Sequence, residues 1–469
     1  MPKDLHPKED GKEWVQKYES MMNGQSSEFL DPDAFELVIY HYVNSDQPEK
    51  ARVACEKAME LHPYHSELLL DYAHVLFSCG ANDKAMDAVK KAEPFFPYDV
   101  YLIMLKCTLL NHQGRHKEVI HYITQTEPFV EQKANLFYIL GSTFAQMGNG
   151  MEARYWFKKS LNLDPLNLEC LEEFLMFLEE EEEQEEALPF FQKFLDADPF
   201  NATVWLSYSH VLNKIGEFED ALSAIEYCLA LDDKMHIAHF HKGNIWMNLS
   251  RFPEAEEAYQ EALRLNEKNP DYYVAYGAAL ELQEKLDQAI HNFRKALKIN
   301  PKQDDAYYGI GTCLLAMQKY SESIHFFNKA IHYEPGNPAS WLSKAVAEYG
   351  LGNLLSANEA FEKAHELDPE NPHLWMDWSL LFFEGGFIEK AISMMNEAIS
   401  IMPDEALLYY RAAAYHFSEG QFNEATLFLE NALLLDYEGH TVMFEFFKDL
   451  KSQKTLYKII QEITNKGKS

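Results

Sequence analysis

Basic residues are scarce in this chain: lysine and arginine number 41 against 75 aspartates and glutamates, a formal net charge of −34. A surface of that sign lacks the basic footprint that phosphate backbones require, so no nucleic acid is expected as a partner. Adsorption to anionic membranes is disfavoured for the same reason. Long apolar runs are missing as well, since no stretch approaches the roughly 18–20 residues that span a bilayer. The opening residues, MPKDLHPKEDGKEW, are charged and hold no apolar stretch, so they do not read as a secretory signal. Together these absences predict a cytoplasmic protein. Cysteine is sparse, and Cys55, Cys79, Cys107, Cys170, Cys228 and Cys313 form no CxxC pair. In a reducing compartment such residues read as small buried side chains rather than disulfides or metal ligands. Catalytic signatures are absent too: there is no HExxH, GxSxG, phosphate loop or GxGxxG opening a helix. Gly309 and Gly311 make a lone GxG inside a helical stretch. No enzymatic activity, no metal and no cofactor are expected.

What is present is a period of 34 residues. Units start at Pro32, Ser66, Val100, Ala134, Leu168, Ala202, His236, Pro270, Asp304, Pro338, Pro372 and Ala406, and they keep register to Gly439 without insertion or deletion. At the twentieth place stand Ala51, Ala85, Val119, Ala153, Ala187, Ala221, Ala255, Ala289, Ser323, Ala357, Ala391 and Ala425. So strict a phase implies two helices approaching too closely for a larger side chain. The eighth place is also small (Ala73, Gly141, Ser209, Gly243, Gly277, Gly311, Ala345, Ser379, Ala413), and the fourth is large (Phe35, Phe137, Trp205, Tyr273, Tyr307, Trp341, Trp375, Tyr409). Prolines such as Pro63, Pro165, Pro301 and Pro369 recur at the thirty-second place, where a helix cannot continue through them. A pair of helices this short cannot bury its own apolar faces and must stack on its neighbours.

This pattern of small, large and proline positions on a helix–turn–helix resembles the tetratricopeptide repeat family, over residues 32–439. The resemblance implies an all-α fold, a right-handed α-α superhelix (solenoid) of about twelve 34-residue repeats. The first helices of such an array line a concave groove that binds a peptide or partner protein. Residues 1–31 read as a polar leader, either a loose tail or a capping helix through Trp14, Tyr18 and Met21. Residues 440–469 read as a degenerate repeat or capping helix through Leu456, Ile459, Ile460 and Ile463. Units at Pro32, Val100 and Leu168 depart most from the code, with Ile39, Val119 and Leu175 at small places.

By that resemblance the second, fifth, ninth and twelfth places face the groove. In the last four units they are often apolar: Tyr308, Leu315, Leu342, Val346, Tyr349, Met376, Leu380, Phe383, Tyr410 and Phe417. Earlier units place Asn135, Ser142, His210, Asn213 and Asn244 there. Exposed apolar clusters mark contact surfaces. The two-carboxylate clamp of some family members is not met, because Phe240, Ala275, Asp305 and Gly309 stand where its lysine, second asparagine and basic residues would be.

Three irregular features stand apart from the code. The unit Leu168–Asn201 holds twelve acidic residues and one lysine, with a run from Glu179 to Glu183. It reads either as a solvated loop or as an acidic patch, through Glu169, Glu172 and Glu179, that draws a basic partner segment. Pro189 falls inside the expected second helix of that unit, which should start late or kink. His236, His239 and His241 cluster without a third correctly spaced ligand and read as core and surface side chains. The expected function is a protein–protein interaction scaffold. A self-assembling structural protein, forming a homo-oligomer through its aromatic face or end units, is the alternative.

Overall fold

The computed structural model describes residues 10–25, 29–446 and 456–461. Among the described residues there is no strand; the chain is a tandem array of helices joined by short turns. First helices begin at Pro32, Ser66, Val100, Lys133, Leu168, Ala202, His236, Pro270, Asp304, Pro338, Pro372 and Ala406. Second helices begin at Pro48, Asn82, His116, Gly150, Leu188, Phe218, Phe252, Leu286, Tyr320, Leu354, Ile388 and Phe422. Only Lys133 and Leu188 break the 34-residue step. The exception at Leu188 is the one Pro189 predicts: Gln184–Ala187 forms a 3-10 turn, and the α-helix runs Leu188–Ala197.

Local chemistry explains the punctuation. At the fifteenth place every unit has positive φ, from glycine in seven and from Asp46, Glu182, Ser250, Glu284 and Gln318 in the others. One left-handed residue reverses the chain between paired helices. At the thirty-fourth place of six repeats, asparagine or aspartate caps the next first helix: Asn167 accepts from the Cys170 N–H at 3.0 Å and Asn201 from the Val204 N–H at 3.2 Å.

The chain forms two compact units, Met1–Leu231 and Asp232–Ser469, each an all-α solenoid. In the second, every first helix from His236–Asn248 to Pro372–Glu384 packs on its own second helix and directly on the next first helix. In the first, Pro32–Asn44 packs on Ser66–Ser78, and Lys133–Gln146 on both Val100–His112 and Leu168–Glu180. Closer spacing of first helices than of second helices puts the first helices on the inner side of each stack.

The core repeats one motif. All twelve residues at the twentieth place have 0% exposure. In four repeats a ring at the twenty-fourth place sits on a glycine at the eighth: a Cβ at Gly277 would lie 2.7 Å from Phe293, and one at Gly243 only 2.4 Å from Tyr259. Gly309 is part of the same packing, since its Cβ would meet Phe293 at 2.3 Å. Where the code is broken at Ile39, the residue at the twenty-fourth place is the small Cys55, and both are buried. The pair keeps its volume with the sizes exchanged.

At the N-terminal side, the helix Asp10–Met22 buries Val15 and Tyr18 in one cluster with Phe35 and Tyr42. At the other, residues 456–461 are helical, and Leu456 and Ile460 share a cluster with Leu429, Ala432 and Met443. Ile463 lies outside the described residues. No helix among the described residues is long and apolar enough to cross a membrane.

Ala289→Leu is expected to destabilise the second unit by roughly 1–3 kcal/mol, because a fully enclosed position cannot absorb the added volume. Gly309→Ala gains about 1 kcal/mol of helix propensity, yet it should still destabilise, since the Phe293 ring is held between Gly277 and Gly309. Urea denaturation measures both; unchanged midpoints would refute the close-approach account.

Candidate functional site

The face built by the first helices of residues 232–469 carries most of the expected apolar groove. Tyr308, Leu315, Leu342, Val346, Tyr349, Leu380, Phe383 and Phe417 are half-buried there, neither core nor fully solvated. Several are fixed by neighbours from the next repeat. Ser343 Oγ donates to Tyr308 Oη at 3.4 Å, Tyr349 Oη donates to the Glu384 carboxylate, and Phe383 stacks on Tyr415 at 4.4 Å between ring centroids. These contacts span one repeat interface each, so the strip is continuous in side-chain packing.

Two of the expected groove residues sit in the core instead. Tyr410 is 1% exposed, and its hydroxyl donates to the Asp436 carbonyl. Met376 is buried in the cluster of Trp375, Met395 and Leu408. In the last repeat the chain after Asp436 folds back as Glu438–Val442, and Gly439 comes against the Tyr410 ring. A place that is open in the middle of an array is therefore covered near this end.

Carboxylates, which the apolar pattern does not reveal, punctuate the same face. Burial pushes Glu281, Asp305 and Asp377 above the usual carboxylate range. For Asp305 the neighbouring Asp304 and Asp271 add to the effect; for Asp377 the Arg411 guanidinium opposes it and loses. The half-buried Glu281 and Asp377 and the exposed Asp305, beside half-buried rings, make a surface that is apolar in area and electronegative in field. The signal that finds them is geometric, because on the sequence they are ordinary acidic residues in an acidic chain.

In the first unit the expected polar sites are largely engaged. Asn135 Oδ1 accepts from Asn167 at 3.3 Å, and His210 Nε2 lies 3.4 Å from the Glu179 carboxylate. Burial depresses the His210 imidazole, with Glu179 pulling it part of the way back. Asn213 is half-buried. Asn244, in the second unit, accepts from Tyr259 Oη at 2.7 Å. Glu169, Glu172 and Glu179 are all exposed. The rest of the acidic run is tied to the preceding repeat: Arg154 reaches Glu181 at 3.4 Å and Glu183 at 2.5 Å, and Lys158 reaches Glu186 at 2.8 Å. Part of the run is thus a neutralised repeat–repeat joint.

The histidines are accounted for singly. His236 Nδ1 pairs with Tyr272 Oη at 2.7 Å, and His239 Nε2 with the Asp233 carbonyl at 3.0 Å. Among the described residues, Glu36, His65 and Glu67 bring potential ligand atoms within 4.8 Å of one another at the surface. His65 Nδ1 there caps a helix, accepting from the Leu68 N–H at 3.5 Å.

Tetratricopeptide repeat family models match residues 43–106, 236–269 and 280–347. No curated protein matches the chain. Among solved structures the chain is similar to the APC/C hetero-tetramer Cut9–Hcn1, at 13% identity and a TM-score of 0.46, over 92% of this chain and 98% of that one. It is similar to a tetratricopeptide repeat protein from Parabacteroides merdae at 16% identity and a TM-score of 0.46, over 54% of this chain and 99% of that one. YrrB, described as a TPR protein with an unusual peptide-binding site, matches at 23% identity and a TM-score of 0.33, over 39% of this chain and 94% of that one.

Asp71, on the helix Ser66–Ser78, generates a pH prediction. Burial, with Glu67 nearby, pushes its carboxyl from 3.8 up to about 6. The folded state therefore holds that proton more tightly than the unfolded chain. The associated stability is present below about pH 4 and is lost as pH rises through about 6. Asp71→Asn is expected to stabilise the protein at pH 7.5, by on the order of 1–3 kcal/mol, and to be nearly neutral at pH 4. Thermal melts at the two pH values measure this, and equal effects at both would refute a desolvated carboxylate.

Proposed function

We propose that this chain, which belongs to the tetratricopeptide repeat family, is a non-enzymatic cytoplasmic scaffold. It binds an extended or helical segment of a partner protein along the first-helix face of residues 232–469. The observation that carries this reading is the half-buried strip from Tyr308 to Phe417, set among the half-buried carboxylates Glu281 and Asp377 and the exposed Asp305. A repeat code fixes the core with other positions, so packing does not require apolar residues at these places; a partner does. The carboxylates define its chemistry. A lysine or arginine brought beside a half-buried acid recovers more electrostatic energy than one beside a fully solvated acid. The fitting segment therefore interleaves basic and large apolar residues. The twelve repeats proposed between residues 32 and 439 form the body that holds this face, and the exposed Glu169, Glu172 and Glu179 of the first unit are a second place for basic residues to land.

Peptide display against the full chain is expected to select sequences with lysine or arginine between aromatic or aliphatic residues. Phe383→Ala or Tyr349→Ala should weaken such a peptide at least tenfold, about 1.4 kcal/mol, with the far-UV circular dichroism unchanged. Selection of acidic peptides, or equal affinity in both variants, would overturn the reading. Concentration-dependent sedimentation abolished by the same variants would instead favour self-assembly through this face.

A further inference from the structure

In six repeats the fourth place has a defined socket. Trp205, Trp341 and Trp375 donate their indole N–H to the carbonyls of Pro199, Pro335 and Pro369, at 2.9, 3.0 and 2.8 Å. Tyr307 and Tyr409 donate their hydroxyls to Pro301 and Pro403, at 3.2 and 2.9 Å. His239 makes the same contact to Asp233, which explains a histidine at a large-residue place. Around Tyr307 the socket has two further walls: Lys329 lies over the ring at 5.2 Å, and Tyr333 stacks on it at 5.7 Å. Lys159 over Phe137 and Lys295 over Tyr273 repeat the lysine wall at 4.1 and 5.4 Å.

In the repeat that starts at Ser66 the socket is built and its ring is missing. The fourth place is Leu69, which has neither a ring nor a donor. The residues standing where Pro301, Lys329 and Tyr333 stand around Tyr307 are Pro63, Lys91 and Phe95, and all three line a cleft of about 550 Å³ together with Leu69. Phe95 is 61% exposed. Lys84 also lines the cleft, as does Asp87, whose carboxylate is 3.6 Å from Lys90.

We infer that this cleft is a docking site for a tyrosine or tryptophan side chain of a partner protein, flanked in that partner by acidic residues. The incoming ring takes the place that the fourth residue fills elsewhere. Its O–H or N–H donates to the Pro63 carbonyl, its face meets Lys91, and Phe95 stacks against it. Lys84 and Lys91 face the flanking carboxylates, and in a chain of net charge −34 a cation-rimmed apolar cleft selects for that sign locally. This inference does not rest on the function proposed for the first-helix face of residues 232–469.

The test titrates the peptide acetyl-Gly-Glu-Trp-Glu-Gly-amide into the full chain by calorimetry. Salt is held near 0.15 M, where charges beyond about 8 Å are screened and the distant acidic surface counts little. The peptide is expected to bind one site at least tenfold more tightly than its alanine counterpart. Leu69→Trp supplies the missing ring from within, so it should raise the melting temperature and weaken the peptide at least tenfold. Phe95→Ala, at an exposed position that folding tolerates, should weaken it several-fold, and Tyr349→Ala should leave it unchanged. Equal affinity for the tryptophan and alanine peptides would overturn the proposal. So would unaltered binding to Phe95→Ala, or self-association that Leu69→Trp abolishes, which would assign the cleft to a second copy.

Discussion

The constraint on which the array depends is the close approach of paired helices, set in most repeats by a larger residue at the twenty-fourth place seated on a small one at the eighth. Phe157 on Gly141, Tyr259 on Gly243, Phe293 on Gly277 and Phe327 on Gly311 all leave less than 3 Å for a Cβ. Interiors at native density have no slack for such an addition. The interhelix distance fixes where the next pair docks, and hence which places face inward. Each other regularity follows from that spacing. The left-handed residue at the fifteenth place closes the turn within the pair, and in half of the repeats an aspartate or asparagine cap at the thirty-fourth opens the next.

This dependence explains how much of the fold was legible in the sequence. A residue confined by sterics on every side has few permitted identities, so the alanines of the twentieth place announce themselves. Helix starts followed from the period, and the delayed helix at Leu188 followed from Pro189. The site was less legible. Tyr410 occupies a groove-facing place and is nevertheless buried, because the return of the chain over it is a tertiary event with no signature at the place itself. Asp377 and Glu281 are chemically unremarkable until their loss of water is known. The empty socket at Leu69 was written in the sequence as a departure from the large fourth place, but a departure has meaning only when the contacts of the filled sockets are seen.

Charge is distributed to suit the same geometry. Many ion pairs lie along one helix at three- or four-residue spacing, such as Arg52 with Glu49 and Glu56, and at exposed positions these contribute little to stability. The pairs that cross repeats are fewer and better enclosed. Lys285 meets Glu256 at 2.8 Å, and that carboxyl stays below its usual range although burial opposes it. Arg154, three-quarters enclosed, gathers the acidic run of the following repeat. The acidic excess therefore does not spread evenly as repulsion. Where successive repeats meet, it is matched by a few cations; on the first-helix face, Glu281, Asp305 and Asp377 bear it with little compensation.

A repeat that assigns each place one packing duty makes surplus and deficit readable as function. On the inner face of residues 232–469 there is surplus: apolar rings occupy places that the core does not need. In the repeat beginning at Ser66 there is deficit: the socket keeps Pro63, Lys91 and Phe95 but lacks the ring they hold elsewhere. The two cases share a physical basis. Apolar surface left half-buried or lining an open cleft costs free energy that a folded chain can recover by contact with another molecule. In six of the other repeats the place is filled internally by a tryptophan, tyrosine or histidine that makes the carbonyl contact. A leucine in its place gives up that internal contact and leaves the recognition geometry intact.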